Sequence, residues 1–221
     1  MLKKIIVTGG DGRFAQELKK NKSKYNFVFR NKNQLNILSI KSIEKNIKEF
    51  KPKYVLHLAG LSRPMSIHDH KISRSIDLNI VGTCNLVKIC ILKKIKLIFF
   101  STSYVYPGTK GNYKETDPVL PWNNYGWSKL GAEAAVQMYK NSLIIRACMT
   151  EKPFIHDYAY SNVKSNFIFH DDIAKKILKV IDKKGVINIG GKAQSIYKFA
   201  IKNKRNVKKK FQKENFLKRW I

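Results

Sequence analysis

The chain has 221 residues, 43% of them hydrophobic and 11% aromatic, which supports a domain-sized core and excludes a disordered chain. Forty-four Lys and Arg stand against 15 Asp and Glu, for a formal net charge of +29, a balance suited to nucleic acid, an anionic membrane surface or a multiply anionic small ligand. The lysines are spread through every segment, so the charge reads as overall composition, and nucleic-acid binding is not expected despite it.

Met1-Leu2-Lys3-Lys4 has no signal-peptide core, and no run approaches the roughly 18 uninterrupted apolar residues of a membrane span. A cytoplasmic protein without membrane association is expected. Residues 3–8 (KKIIVT) read as a strand running into Gly9-Gly10-Asp11-Gly12-Arg13-Phe14-Ala15, after which Phe14 and Leu18 begin a helical pattern. Strand, glycine turn and helix form the setting of a dinucleotide fingerprint: Gly9 allows the bend, Gly12 lets the backbone approach a pyrophosphate, and Ala15 lets the helix pack on the strand. A plain turn would give the same letters, but its place at the head of a βαβ series favours a cofactor. Residues 25–30 (YNFVFR) read as the second strand, and Arg30-Asn31-Lys32 follow where an acid would accept the ribose hydroxyls of NAD(H). With no acid there, Arg30 can pair with a 2′-phosphate and Arg13 can assist, so NADP(H) is preferred and NAD(H) is the alternative. Ordinary surface cations are the plain reading of both arginines.

Residues 39–50 read as an amphipathic helix and residues 54–58 (YVLHL) as a third strand. His57, His68 and His70 are close in sequence, but His57 lies in a buried strand pattern and reads as a structural histidine, so no metal is expected. Residues 77–93 form a helix with Ile80, Leu86, Val87 and Ile91 on its apolar side. Cys84, Cys90 and Cys148 lack the close pairing of a zinc or redox site and read as buried free thiols. Residues 96–101 (KLIFFS) are apolar as a central strand should be. They end in Ser101-Thr102-Ser103, hydroxyls at the sheet edge that can hydrogen-bond a carbonyl oxygen turning negative in a transition state. After a Gly- and Pro-bearing loop at 107–122, residues 125–139 read as a helix on which Tyr125 and Lys129 share a face. A phenol of pKa about 10 beside a cation is a candidate proton donor to a carbonyl, although an aromatic ring packed on a lysine stem has the same spacing. Residues 142–146 (SLIIR) read as a strand, the following twenty or so as a candidate substrate loop, and His170 or Asp171 as the cap of a helix reaching Ile181. Residues 186–189 (VINI) read as a strand and Ser195 as the start of a short helix. Residues 192–221 hold 11 basic residues and one acid, Glu214. Phe211, Phe216 and Trp220 are expected to pack this tail onto the rest, with stacking on bases as the alternative.

These elements imply an α/β fold with a doubly wound parallel (Rossmann) sheet over residues 1–149. A small, abbreviated C-terminal substrate lobe with its basic tail would occupy residues 150–221, parts of 170–200 packing back on the sheet.

The fingerprint at Gly9 to Ala15, Leu58-Ala59-Gly60, Asn79, Ser101-Thr102-Ser103-Tyr104-Val105-Tyr106, Glu115-Thr116-Asp117 and Asn124-Tyr125-Gly126-Trp127-Ser128-Lys129 together resemble the extended short-chain dehydrogenase/reductases that act on nucleotide sugars. Within that superfamily the pattern is most similar to the dTDP-4-dehydrorhamnose reductases. The resemblance implies that Thr102 polarises a sugar C4 carbonyl, that Tyr125 delivers the proton, and that Lys129 holds the nicotinamide ribose and lowers the Tyr125 pKa. It implies cofactor contacts at Gly9, Gly12, Arg13, Phe14, Arg30, Asn36, Ile37, Leu58, Ala59, Gly60 and Asn79, and substrate contacts at Arg63, Ser103 and Tyr104. Ser103 replaces the Asp of the reductase motif, and the Asp-Glu pair of 4,6-dehydratases is lacking. The implied activity is NAD(P)H-dependent reduction of the 4-keto group of a nucleotide-linked deoxysugar for surface carbohydrate synthesis. A nucleotide-sugar 4-epimerase and a non-catalytic NADP-binding regulatory subunit are the alternatives. A homodimer through helices 77–93 and 125–139 is also expected.

Overall fold

The structure is a computed structural model that describes residues 2–212; Met1, Glu214, Phe216 and Trp220 lie outside the described residues. In chain order the elements are β1 (Lys4–Thr8), α1 (Arg13–Lys19), β2 (Asn26–Arg30), α2 (Ile40–Phe50), β3 (Tyr54–His57), α3 (Ile67–His70) and α4 (Ile72–Ser75). A π-helical turn (Ile76–Val81) continues into α5 (Gly82–Leu92), followed by β4 (Lys96–Thr102), a 3-10 turn (Ser103–Val105), α6 (Asn124–Gln137) and β5 (Ser142–Ala147). Then come β6 (Met149–Thr150), β7 (Tyr158–Tyr160), β8 (Lys164–Ser165), β9 (Ile168–Phe169), α7 (His170–Val180), β10 (Gly185–Ile189), β11 (Gln194–Ser195), α8 (Ile196–Ile201) and β12 (Lys208–Lys210).

Six strands form one parallel sheet in the order β2-β1-β3-β4-β5-β10. The chain winds outward from β1 to β2, then returns to lay β3 on the other side of β1. That reversal opens a crevice at the carboxyl ends of β1 and β3, the place where open α/β sheets bind ligands. β4 and β5 are buried at every position because both faces are covered. On one face Phe14 and Leu18 of α1 and Ile173 and Ile177 of α7 join the core. On the other, Ile43 and Ile47 of α2, Leu86 and Cys90 of α5, and Ala132 and Val136 of α6 do so. The sixth strand, β10, comes from beyond residue 150, so the C-terminal part of the chain completes the sheet as well as forming a lobe.

Three local readings change. The helix expected over 77–93 starts at Ile72 and passes through the π-helical turn, whose wider i→i+5 hydrogen bonding accompanies the burial of Asn79. The continuous helix Ile72–Leu92 has 21 residues and a mean hydropathy of 1.5, by length and composition enough to cross a membrane; here its apolarity serves packing against α2, α6 and β4. Helix α7 takes Phe169 as its N-cap, and Asp171 accepts instead from the Asp172 amide at 2.9 Å, so neither His170 nor Asp171 caps it. Phe211 is 66% exposed and does not pack.

The segment read as a loosened loop holds strands of two or three residues, too short for a visible period. They pair as β6·β9, β7·β12 and β8·β11 around a small core of Phe154, Ala159, Phe169, Phe199, Ala200 and Val207.

Between α6 and β5, Glu133 and Arg146 form a buried ion pair, with Arg146 Nε donating to Glu133 Oε1 at 3.0 Å and Ser101 Oγ donating to Oε2 at 2.7 Å. The same guanidinium donates to the Tyr106 hydroxyl at 2.7 Å and the Glu115 carbonyl at 3.2 Å. The pair therefore ties the helix, the sheet and the 107–122 loop together. Removing one partner strands the other charge, so Glu133→Ala should lower the unfolding free energy by about 3–5 kcal/mol, measured by urea denaturation. A loss below about 1 kcal/mol would mean that solvent reaches the pair.

Candidate active site

The first side of the crevice is the glycine turn. Gly9 has φ +69°, and a Cβ there would stand 2.8 Å from the Ala59 backbone, so only glycine fits where the turn meets the loop after β3. Gly12 N donates to Gly9 O at 2.9 Å and Gly10 N to Arg30 O at 2.8 Å, which fixes the turn against β2. The Thr8 hydroxyl accepts from the amides of Leu58 and Ala59 at 3.2 and 3.1 Å, so Leu58, Ala59 and Gly60 line the same crevice.

From Thr8 a chain of hydrogen bonds runs inward. Thr83 Oγ1 donates to Asn79 O at 2.6 Å, so it must accept from His57 Nε2 at 2.9 Å; His57 Nδ1 then accepts from Thr8 Oγ1 at 2.8 Å. The imidazole is neutral: burial holds its pKa at about 3, and the charge of Lys129 acts in the same direction. The Asn79 side chain accepts from Leu61 N at 2.6 Å and donates to Leu61 O at 2.9 Å and Ser128 Oγ at 2.8 Å. Ser128 Oγ in turn donates to Tyr125 O at 2.8 Å. Asn79 therefore links the post-β3 loop to α6, its amide engaged within the protein.

The second side is where β4 ends. Thr102 Oγ1 accepts from Tyr104 N at 3.2 Å, and Asn123 caps α6 by accepting from Gly126 N at 2.7 Å. A Cβ at Gly126 would lie 2.5 Å from Tyr104 O, so glycine lets the helix start press against the 3-10 turn and sets Tyr125 beside Thr102. The Tyr125 ring sits between Tyr104, with centroids 6.0 Å apart, and His68, at 5.1 Å; Ser75 Oγ holds His68 Nδ1 at 2.7 Å. Burial raises the Tyr125 pKa, while a hydrogen bond from Thr102 and the charge of Arg63 pull it down. Lys129 Nζ lies 4.2 Å from the centre of the Phe99 ring, and burial lowers its pKa to about 7 against the opposing pull of Glu133. The lowering influences on Tyr125 are thus Thr102 and Arg63, where the sequence reading assigned that work to Lys129.

Other expected residues are less central. Arg30 stands at the end of β2, but Nε donates to Asn46 Oδ1 at 3.0 Å, Nη2 lies 3.4 Å from Glu49, and the guanidinium covers the Phe50 ring at 4.2 Å, so it is drawn over α2. Asn36 Oδ1 accepts from Leu38 N at 3.0 Å. Ile37 is buried, and its carbonyl accepts from Asn85 at 3.1 Å. Phe14 is buried against Phe100 with centroids 4.8 Å apart. Ser103 is within hydrogen-bonding reach of the buried Cys148 thiol. Arg13 and Arg63 share one carboxylate, Glu151. Among the described residues no three His, Cys, Asp or Glu side chains group to hold a metal ion.

Sequence reading missed Glu133, Glu151, His68 as a neighbour of Tyr125, and the Thr8–Thr83 relay. Only Glu133 left a signal, since it follows Lys129 by four residues on the same helical face.

Residues 3–167 match the family described as RmlD substrate binding domain. The chain belongs to that family. It is 30% identical to the methionine adenosyltransferase 2 subunit beta of Bos taurus over 143 residues, 61% of this chain and 42% of that protein. It is 26% identical to the dTDP-4-dehydrorhamnose reductase of Aggregatibacter actinomycetemcomitans over 152 residues, 66% of this chain and 51% of that protein. The chain thus spans about half or less of the length of the curated relatives it matches. The solved dTDP-4-dehydrorhamnose reductase of Bacillus anthracis in complex with NADP superposes with a TM-score of 0.84 at 21% identity, covering 96% of this chain and 84% of that one. This likeness shows that the family's doubly wound fold is present.

Lys129 provides a stability test. Its folded pKa of about 7 lies below the ordinary 10.5, so between those values the unfolded chain binds the extra proton and stability rises with pH. Below about 7 both states are protonated and the burial cost is fully present. Lys129→Met should therefore be more stable than the parent near pH 7, the advantage shrinking towards about pH 10. Denaturant midpoints of both proteins across that window measure it; a constant difference would contradict the lowered pKa.

Proposed function

We propose that this protein catalyses NAD(P)H-dependent reduction of the 4-keto group of a nucleotide-linked deoxysugar, with NADP(H) preferred and NAD(H) the alternative. One observation carries the reading: Thr102, at the carboxyl end of β4, shares a hydrogen bond with Tyr125, and Lys129 follows one turn later on α6 with its charge felt by the buried His57. The glycine turn fits a dinucleotide, since no Cβ blocks the approach of a pyrophosphate to the backbone. Gly9, Gly12, Arg13 and the backbone of Leu58, Ala59 and Gly60 would hold it, and Asn36 and Ile37 would border its adenosine end. Arg30 would meet a 2′-phosphate by exchanging its Glu49 contact. When bound, the nicotinamide supplies the hydride. Thr102 donates a hydrogen bond to the substrate carbonyl oxygen, and Tyr125 gives that oxygen its proton. Lys129 steadies the ribose and, when protonated, supplies positive charge beside it. Arg63, Ser103 and Tyr104 would face the sugar nucleotide.

A second reading, a non-catalytic NADP-binding regulatory subunit, is favoured by the similarity to a methionine adenosyltransferase 2 subunit beta. For either reading we infer a homodimer through helices 77–93 and 125–139, supported by the exposure of Val81, Ile91, Leu92, Trp127 and Met138 on this helix pair.

Turnover separates the readings. NADPH oxidation against a panel of 4-keto-6-deoxy nucleotide sugars should show activity that Tyr125→Phe lowers by about 10²–10⁴-fold with NADPH affinity unchanged. Thr102→Val should lower kcat by about 10²-fold. No turnover on the panel together with tight NADPH binding would favour the regulatory subunit. For the dimer, Trp127→Glu should convert the sedimenting species to a monomer; an unchanged sedimentation coefficient would place any interface elsewhere.

A further inference from the structure

Glu151 is a charged group at the crevice that the proposed chemistry leaves unused. It lies directly after β6, and each of its carboxylate oxygens takes a different guanidinium: Oε1 is 2.9 Å from Arg13 Nη1 and Oε2 is 2.6 Å from Arg63 Nη1. The two arginines come from adjoining walls. Arg13 opens α1 directly behind the glycine turn, and Arg63 stands in the loop after β3, where its charge reaches Tyr104 and Tyr125. His170 adds its influence on the same carboxyl group. Burial pushes the Glu151 pKa up, but Arg63, Arg13 and His170 together hold it below the usual range, so it is an anion at neutral pH.

The bridge is not what keeps these walls in place. The glycine turn is closed by its own backbone bonds, and the post-β3 loop is held by Thr8 and by both hydrogen bonds between Asn79 and Leu61. What the carboxylate does is offset part of the charge of two cations at a ligand crevice, offering one oxygen to each, the pattern by which guanidinium groups grip phosphate oxygens.

We propose that Glu151 is an internal counter-anion of the crevice, holding between Arg13 and Arg63 the position that a diphosphate group of a nucleotide ligand takes on binding. Ligand entry is then an exchange of anions: the phosphate displaces the carboxylate, and both guanidiniums turn to the ligand together. The proposal rests on the nucleotide reading above and adds the residue that sets affinity. The diphosphate could be that of the dinucleotide or that of the sugar nucleotide, which share this chemistry.

Calorimetric titration of the parent and Glu151→Gln with NADPH, thymidine diphosphate and inorganic pyrophosphate, at one ionic strength, tests it. The variant should bind about tenfold more tightly, the size expected for releasing two part-exposed ion pairs. A gain for NADPH alone assigns the position to the dinucleotide, and a gain for thymidine diphosphate alone assigns it to the sugar nucleotide. In an Arg63→Met background the Glu151→Gln gain should fall to about threefold, because only the Arg13 pair is then released. Glu151→Asp, too short to span both arginines, should move affinity in the same direction as Glu151→Gln. Unchanged or weaker binding of all three ligands by a cooperatively folded variant overturns the proposal and makes Glu151 a structural clamp, as does failure of both variants to fold. If neither protein binds NADPH or thymidine diphosphate but the variant binds pyrophosphate more tightly, the counter-anion stands and the nucleotide reading falls.

Discussion

The arrangement of the crevice depends on a neutral, buried histidine. His57 accepts from Thr8 and donates to Thr83, and so joins β1 and β3 to the helix whose π-turn presents Asn79. Asn79 passes the connection to Leu61 and to Ser128, which donates to the carbonyl of Tyr125. One continuous set of hydrogen bonds thus runs from the end of β1, where the glycine turn begins, to the first turn of α6. It works only while His57 is uncharged, because an imidazolium would leave Thr8 without an acceptor and would place a second cation near Lys129. Burial keeps it neutral through the physiological range.

Around this relay the protein places a few charges under cover and offsets each differently. Lys129 has only the partial help of Glu133 one turn away, because the Glu133 carboxylate is committed to Arg146 and Ser101. Its proton is therefore held loosely near neutral pH, a state suited to a site where charge must rearrange. Arg146, fully paired, instead secures the loop that follows the 3-10 turn. At the open side, Arg13 and Arg63 are balanced by a carboxylate that a stronger anion can replace.

Much of this was legible in the residues. The apolar runs and the glycine turn defined the parallel sheet, and the Tyr125–Lys129 spacing put both residues on one helix, because period and turn chemistry are local properties. What stayed hidden depends on groups far apart in the chain. The π-turn at Asn79 leaves no periodic trace, the short strands of the lobe are below the length at which alternation shows, and Glu151 gains its meaning only when two loops meet. Arg30 illustrates the converse: its position at the end of β2 was readable, but its attraction to Glu49 and Phe50 on α2 was not.

The proposed reduction brings a nicotinamide hydride to a sugar carbonyl beside Tyr125. Its most direct test is a single turnover with NADPH carrying deuterium at the transferred nicotinamide position and a 4-keto-6-deoxy nucleotide sugar, with the sugar product analysed by mass spectrometry and NMR. The account predicts a single deuterium bound to carbon at the sugar C4 position. An unlabelled sugar recovered after demonstrated binding of both ligands would contradict it.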